Sequence, residues 1–130
     1  MLVAAATRVG TILLAEDEHG VRAFLETALT RAGHRVVAAS SGTAAVEAGT
    51  AMQEPIDLLI ADVVMPGLSG PEVADSLRYY HPSMRSLFLS GYSSHVALPD
   101  RVTADPGAFL QKPFTVETLL AKVRERLAAR

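Results

Sequence analysis

Short apolar runs recur along the chain, and between them apolar residues return every third or fourth position. Residues 11–15 (Thr-Ile-Leu-Leu-Ala) are continuously apolar after the first. They lack the alternation of a strand with one wet face, so they read as a strand buried on both sides, as in a parallel sheet. Runs at 35–39, 56–61, 86–89 and 108–110 predict four more strands. Val21, Phe24, Leu25, Ala28 and Leu29 stand at i, i+3, i+4, i+7 and i+8, one face of a helix that Gly33 is placed to stop. Ser40-Ser41-Gly42 offers a cap for a second helix over 44–51, and Pro55 separates it from the third strand. A third helix opens at Gly70-Pro71, where proline loses nothing by lacking an N–H. Its residues Val73, Ala74 and Leu77 should face the sheet, and His81-Pro82 should end it, because the residue before proline avoids helical geometry. The stretch 92–107 holds Pro99 and Pro106 and predicts at most a turn or two of helix around 94–98, and residues 92–105 should be the most mobile part of the fold. The last helix carries Val116, Leu119, Leu120, Val123 and Leu127 on one face, with Thr115 as its cap.

Strands alternating with helices of these lengths predict a parallel sheet covered by helices on both faces. Right-handed crossovers leave few topologies. Five βα units are most simply a flavodoxin-like (βα)5 three-layer sandwich with strand order 2-1-3-4-5. In that order the first and third strands are neighbours at the point where the winding reverses, and ligands of open α/β sheets bind at the carboxyl ends of the strands there.

The bulk numbers narrow the setting. A chain of 130 residues, 49% of them hydrophobic, is one ordinary domain with enough apolar content for a core. Its 12 basic and 14 acidic residues leave a net charge of −2, which argues against a nucleic-acid footprint. No cysteine is present, so disulfides and thiolate metal sites are excluded, which fits a cytoplasmic setting. No apolar stretch approaches the roughly 18 residues needed to span a membrane. Residues 1–10 read as a leader lacking the basic start of a signal peptide, and residues 11–130 as the domain.

Four of the runs end on residues suited to phosphoryl chemistry. The first runs into Glu16-Asp17-Glu18, the third into Asp62, the fourth into Ser90-Gly91 and the fifth into Gln111-Lys112-Pro113. Glu16-Asp17-Glu18 alone is explained by the preference of acids for helix N-termini. With Asp62 on the adjacent strand, carboxylates crowd and repel, and a hard divalent cation such as Mg2+ would relieve them. Asp62 precedes Val63-Val64-Met65-Pro66-Gly67, a turn that leaves its tip exposed and its base rigid; it could attack phosphorus to give an acyl phosphate, or simply bond its own turn. Lys112 is one of two lysines among ten arginines, a compact charge suited to a phosphoryl oxygen or to a surface ion pair. Ser90 could donate to the same oxygen. His19, His34, His81 and His95 show no metal-ligand spacing.

At these residues the chain resembles the receiver domain of two-component response regulators, over about residues 11–128. The matching pieces are Leu13-Leu14-Ala15-Glu16-Asp17-Glu18, Asp57 through Gly67, Leu89-Ser90-Gly91 and Lys112-Pro113-Phe114. The resemblance implies that Asp62 accepts a phosphoryl group from a phosphohistidine of a histidine kinase or phosphotransfer protein. It implies that Asp17 and Asp62 bind Mg2+ directly, Glu16 directly or through water, and that the Val64 backbone carbonyl completes the protein ligands. Lys112 would pair with Asp62 and then with the phosphoryl group, across a usually cis bond to Pro113. Ser90 would report the modification, Gly91 would leave the acceptor accessible, and Phe109 would be the switch aromatic, here without the hydroxyl of the commoner tyrosine. A signalling domain without separate substrate turnover is implied, its output passing to a downstream protein or parent polypeptide. The wording around Ser90-Gly91-Tyr92 and Phe109 to Phe114 also resembles receivers of hybrid histidine kinases. Competing readings are a phosphatase with an aspartate nucleophile, for which no cap domain is present in the sequence, and a degenerate receiver that only binds.

Overall fold

A computed structural model describes residues 9–91 and 106–128. Its elements are β1 (Thr11–Ala15), α1 (His19–Arg31), β2 (Arg35–Ala39), α2 (Gly42–Ala51), β3 (Leu58–Asp62), α3 (Gly70–Arg78), β4 (Arg85–Ser90), a 3-10 turn (Pro106–Ala108), β5 (Phe109–Gln111) and α4 (Val116–Ala128). The five strands form one parallel sheet in the order β2-β1-β3-β4-β5, as the pattern of runs predicted. The expected helical turns around 94–98, the mobility of that stretch and most of the leader lie outside the described residues.

The unbroken apolar runs are explained by two cores. Leu13, Ala15, Leu59 and Ala61 face one side, where Ala45, Val73, Ala74 and Leu77 of α2 and α3 cover them. Ile12, Leu14, Leu58 and Ile60 face the other, under Leu25 and Leu29 of α1 and Leu119, Val123 and Leu127 of α4. Because successive side chains alternate faces, a strand covered on both sides has no position left for a polar residue. Polar residues therefore begin where the strands end.

Caps set the helix boundaries. The Ser41 side chain accepts from the Ala44 N–H at the start of α2. Ser69 and Glu72 form a reciprocal capping box at the start of α3, satisfying two N–H groups that the helix itself leaves unpaired. Thr115 accepts from the Thr118 N–H and starts α4. Gly33, at φ +100°, turns the chain out of α1 in a conformation that other residues avoid.

Four details of the pattern reading are corrected. β3 starts at Leu58 rather than Ile56, since the Ile56 N–H donates to the His81 ring instead of to a strand. α3 ends at Arg78, ahead of His81-Pro82, because the chain turns to bury the His81 ring between Ile56 and the Gly49 carbonyl. β5 starts at Phe109, the preceding residues forming the 3-10 turn. Phe24 is 47% exposed, so the buried stripe of α1 is centred on Leu25 and Leu29.

Candidate functional site

The sheet register places the strand-end residues. Ala15 pairs with Ala61, so Glu16 follows β1 beside Asp62 at the end of β3. Asp62 pairs with Leu89 and Ser90 with Gln111, which brings Ser90 and Lys112 to the same edge. The Lys112 N–H donates to the Ser90 carbonyl at 2.8 Å, and the Val63 N–H to the Leu89 carbonyl at 2.9 Å. The chain must then leave quickly behind Asp62. It does so through Gly67, at φ +78°, and Gly70, where a Cβ would collide with the Asp62 carbonyl. α3 therefore starts tight against the backbone of Asp62.

The result is a cleft of about 360 Å3 lined by Glu16, Asp17, Asp62, Val64, Ser90 and Lys112, among others. Carboxylate oxygens of Glu16, Asp17 and Asp62 lie within 4.8 Å of one another. Glu16 and Asp62 are buried, at 1% and 6% exposure, so the tip of Asp62 is not exposed as its turn suggested, while Asp17 is open to solvent. Lys112 Nζ stands 2.8 Å from Asp62 Oδ1 and 3.4 Å from Glu16 Oε1. The nearer contact is an ion pair without hydrogen-bond alignment, so the buried Asp62 Oδ1 has no aligned donor among the described residues. A Cβ at Gly91 would meet nothing within 4 Å, so that rim of the cleft is open. The Lys112-Pro113 bond is cis.

These contacts leave Asp62 short of stabilisation as an anion. Burial first, and then the neighbouring Glu16 carboxyl, push its carboxyl up to about 7 against the opposing pull of Lys112. Burial by itself would lower the Lys112 ammonium, but Asp62 and Glu16 outweigh it and hold the lysine above its ordinary range. A buried, underdonated carboxylate oxygen beside two further acids is the donor set a hard divalent cation takes.

Each sequence-predicted site residue thus reaches the cleft except Phe109, which stands behind it. Its half-buried ring is 5.8 Å from that of Phe88, tilted by 45°. Pattern reading missed three polar groups. His81 and His34 are buried, each accepting a backbone N–H at Nδ1, from Ile56 at 3.2 Å and Gly10 at 3.1 Å. Arg22 reaches back from α1 to the Glu16 carbonyl at 2.9 Å. No periodicity marks such contacts, because each joins a side chain to the backbone of another element.

Residues 12–124 match the family described as "Response regulator receiver domain". The chain belongs to the response regulator receiver family. Among curated relatives, this receiver is 34% identical to the response regulator receiver protein CpdR of Brucella abortus, covering 91% of this chain and 97% of that one. It is 38% identical to the sensor kinase CckA of the same organism over 90% of this chain, but spans only 12% of the kinase. Among solved structures, the receiver domain of hybrid histidine kinase CckA superposes with a TM-score of 0.75 at 35% identity, over 91% of this chain and 99% of that one. A response regulator receiver protein from Sinorhizobium medicae gives a TM-score of 0.76 at 32% identity, over 94% and 97%. Among the described residues no helix is long and apolar enough to cross a membrane.

Proposed function

We propose that this receiver is the phosphoacceptor of a two-component phosphorelay, taking a phosphoryl group onto Asp62 from a phosphohistidine of a histidine kinase or phosphotransfer protein. The observation that supports this is the convergence of Asp62, Lys112, Glu16 and Asp17 on one cleft, with the acceptor buried and Lys112 2.8 Å away. In the transfer, an Asp62 carboxylate oxygen bonds to phosphorus as the phosphorus–nitrogen bond to the donor imidazole breaks. Asp62 must be ionised to attack, and its proton affinity near 7 means that the isolated cleft holds it only partly so at neutral pH. Mg2+, held by Asp17, Asp62 and the Val64 carbonyl with Glu16 behind them, would supply positive charge that favours the anion and offsets charge on the phosphoryl oxygens. Lys112 is placed to move from Asp62 to a phosphoryl oxygen, and Ser90 to donate to another.

The added charge at the strand ends would draw the Ser90 and Lys112 loops inward. Room vacated near Ser90 lets the Phe109 ring turn in, so β5 and α4 carry the change to a partner. We place this module in the cytoplasm, without substrate turnover of its own, passing its signal to a downstream protein or a parent polypeptide. The test is intact-mass analysis after incubation with acetyl phosphate and Mg2+. The wild type should gain one phosphoryl group, and Asp62→Asn or chelator-treated protein none. Equal labelling of Asp62→Asn would move the acceptor elsewhere; an unlabelled wild type would leave a receiver that only binds.

A further inference from the structure

In the loop joining β1 to α1, every polar group of Glu16 and the backbone of Glu18 are held, whereas among the described residues the Asp17 carboxylate is not. The Glu16 N–H donates to the Ala39 carbonyl at 3.1 Å. Glu16 Oε2 accepts from the Glu18 N–H at 3.0 Å, and Oε1 faces Lys112 at 3.4 Å. The Glu16 carbonyl is taken by Arg22, whose Nη1 donates to it at 2.9 Å while Nη2 lies 3.1 Å from His19 Nδ1. Arg22 is itself fixed, because its backbone N–H donates to the Glu18 carbonyl in the first turn of α1. The half-buried guanidinium therefore clamps the peptide that joins Glu16 to Asp17. Asp17 alone of the three clustered acids is exposed, and its carboxylate has no partner among the described residues.

We propose that Arg22 is a positioning residue for Asp17: by holding the Glu16 carbonyl it fixes the backbone from which the Asp17 carboxylate faces Asp62. The inference rests on the reading of these acids as a divalent-cation site.

Two effects of opposite sign meet at Arg22. As a cation near the acids it repels Mg2+, so removing its charge alone would tighten metal binding, modestly in an exposed and salt-screened loop. As a clamp it keeps the Asp17 backbone in one conformation, and freeing one residue's backbone is worth about tenfold in binding. Residues that orient metal ligands through a hydrogen bond typically matter by about 10- to 100-fold in affinity. The clamp should outweigh the charge, so the sign of the change separates the two roles.

The experiment is an NMR-followed Mg2+ titration of the full chain as wild type, Arg22→Met and Arg22→Lys, with the helical content of each metal-free protein measured by circular dichroism. Methionine keeps the apolar stem without donor or charge; lysine keeps a donor that can reach the Glu16 carbonyl. Arg22→Met should bind Mg2+ about tenfold more weakly with its helices intact, and Arg22→Lys should recover most of the loss. Unchanged or tighter binding in Arg22→Met, or no recovery in Arg22→Lys, would overturn the proposal. Loss of the fold in Arg22→Met would assign the residue to stability instead. A wild type that takes up no Mg2+ at millimolar concentration would overturn the metal reading itself, and that result is read before any variant is made.

Discussion

Replacing Asp62 by asparagine should make the metal-free protein more stable, and more so as pH rises. The substitution keeps shape and removes a charge that the cleft accommodates poorly. Burial and the neighbouring Glu16 lift the carboxyl from its ordinary 3.8 to about 7. The folded state therefore holds a proton on Asp62 that the unfolded chain has already released. Stability contributed by this residue is present at low pH and is lost as pH climbs from about 4 through 7. The rise corresponds to about 4 kcal/mol, at roughly 1.4 kcal/mol for each tenfold change in proton affinity. That is an upper bound, since the cleft relaxes and water enters when the charge forms. Asp62→Asn should then gain about 2–4 kcal/mol near pH 8 and roughly half of that near pH 5. For a domain of this size the larger gain raises Tm by about 10 °C. Thermal unfolding of both proteins at the two pH values, in chelator, measures it. Saturating Mg2+ should narrow the gap by stabilising the wild type through binding. An asparagine variant no more stable than the wild type near pH 8, or equally stabilised at both pH values, would refute the argument that Asp62 is held against its own charge.

Three further outcomes follow from other parts of the molecule. Gly70→Ala places a methyl group against the Asp62 carbonyl and the Phe88 ring, so it should cost about 1–3 kcal/mol and slow acetyl-phosphate labelling; a wild-type melting curve would show that α3 can shift away freely. His34 is held below the ordinary histidine range by burial and accepts the Gly10 N–H as a neutral ring, so its share of stability should fall as pH drops below about 6.5. Denaturant melts of His34→Gln should show a flatter acid dependence than wild type between about pH 7 and 5, and parallel curves would refute it. Ser90→Ala should keep phosphorylation at Asp62 but reduce the beryllofluoride-induced NMR shifts at Phe109 and along α4; full-sized shifts there would exclude Ser90 from the coupling.

The linear order of residues was enough for the architecture and for which residues meet at the sheet edge. Runs such as Ile12-Leu13-Leu14-Ala15 and Leu58-Leu59-Ile60-Ala61 are apolar at every position because both faces of a parallel sheet are covered, and that constraint is local enough to read by eye. Where such runs stop, the first polar residues mark the strand ends, so Glu16, Asp17, Asp62, Ser90 and Lys112 could be placed on one edge from topology alone. Pattern reading opens α3 at Gly70-Pro71 and passes over the Ser69–Glu72 capping box just ahead of it, although that contact joins residues only three apart.

Only the tertiary structure decided what depends on contacts between elements distant in sequence. His81 ends α3 early and delays β3 because its ring bonds Ile56, 25 residues away, and Gly49, 32 residues away. Phe24 has the helical spacing of a core residue, yet α1 buries Leu25 and Leu29 and leaves Phe24 47% exposed. The proton affinity of Asp62 is set by how deeply the cleft buries it and by the balance of Glu16 against Lys112. Residue type declares what a side chain can do; its burial and its partners, which exist only once the chain has folded, determine how strongly it does it.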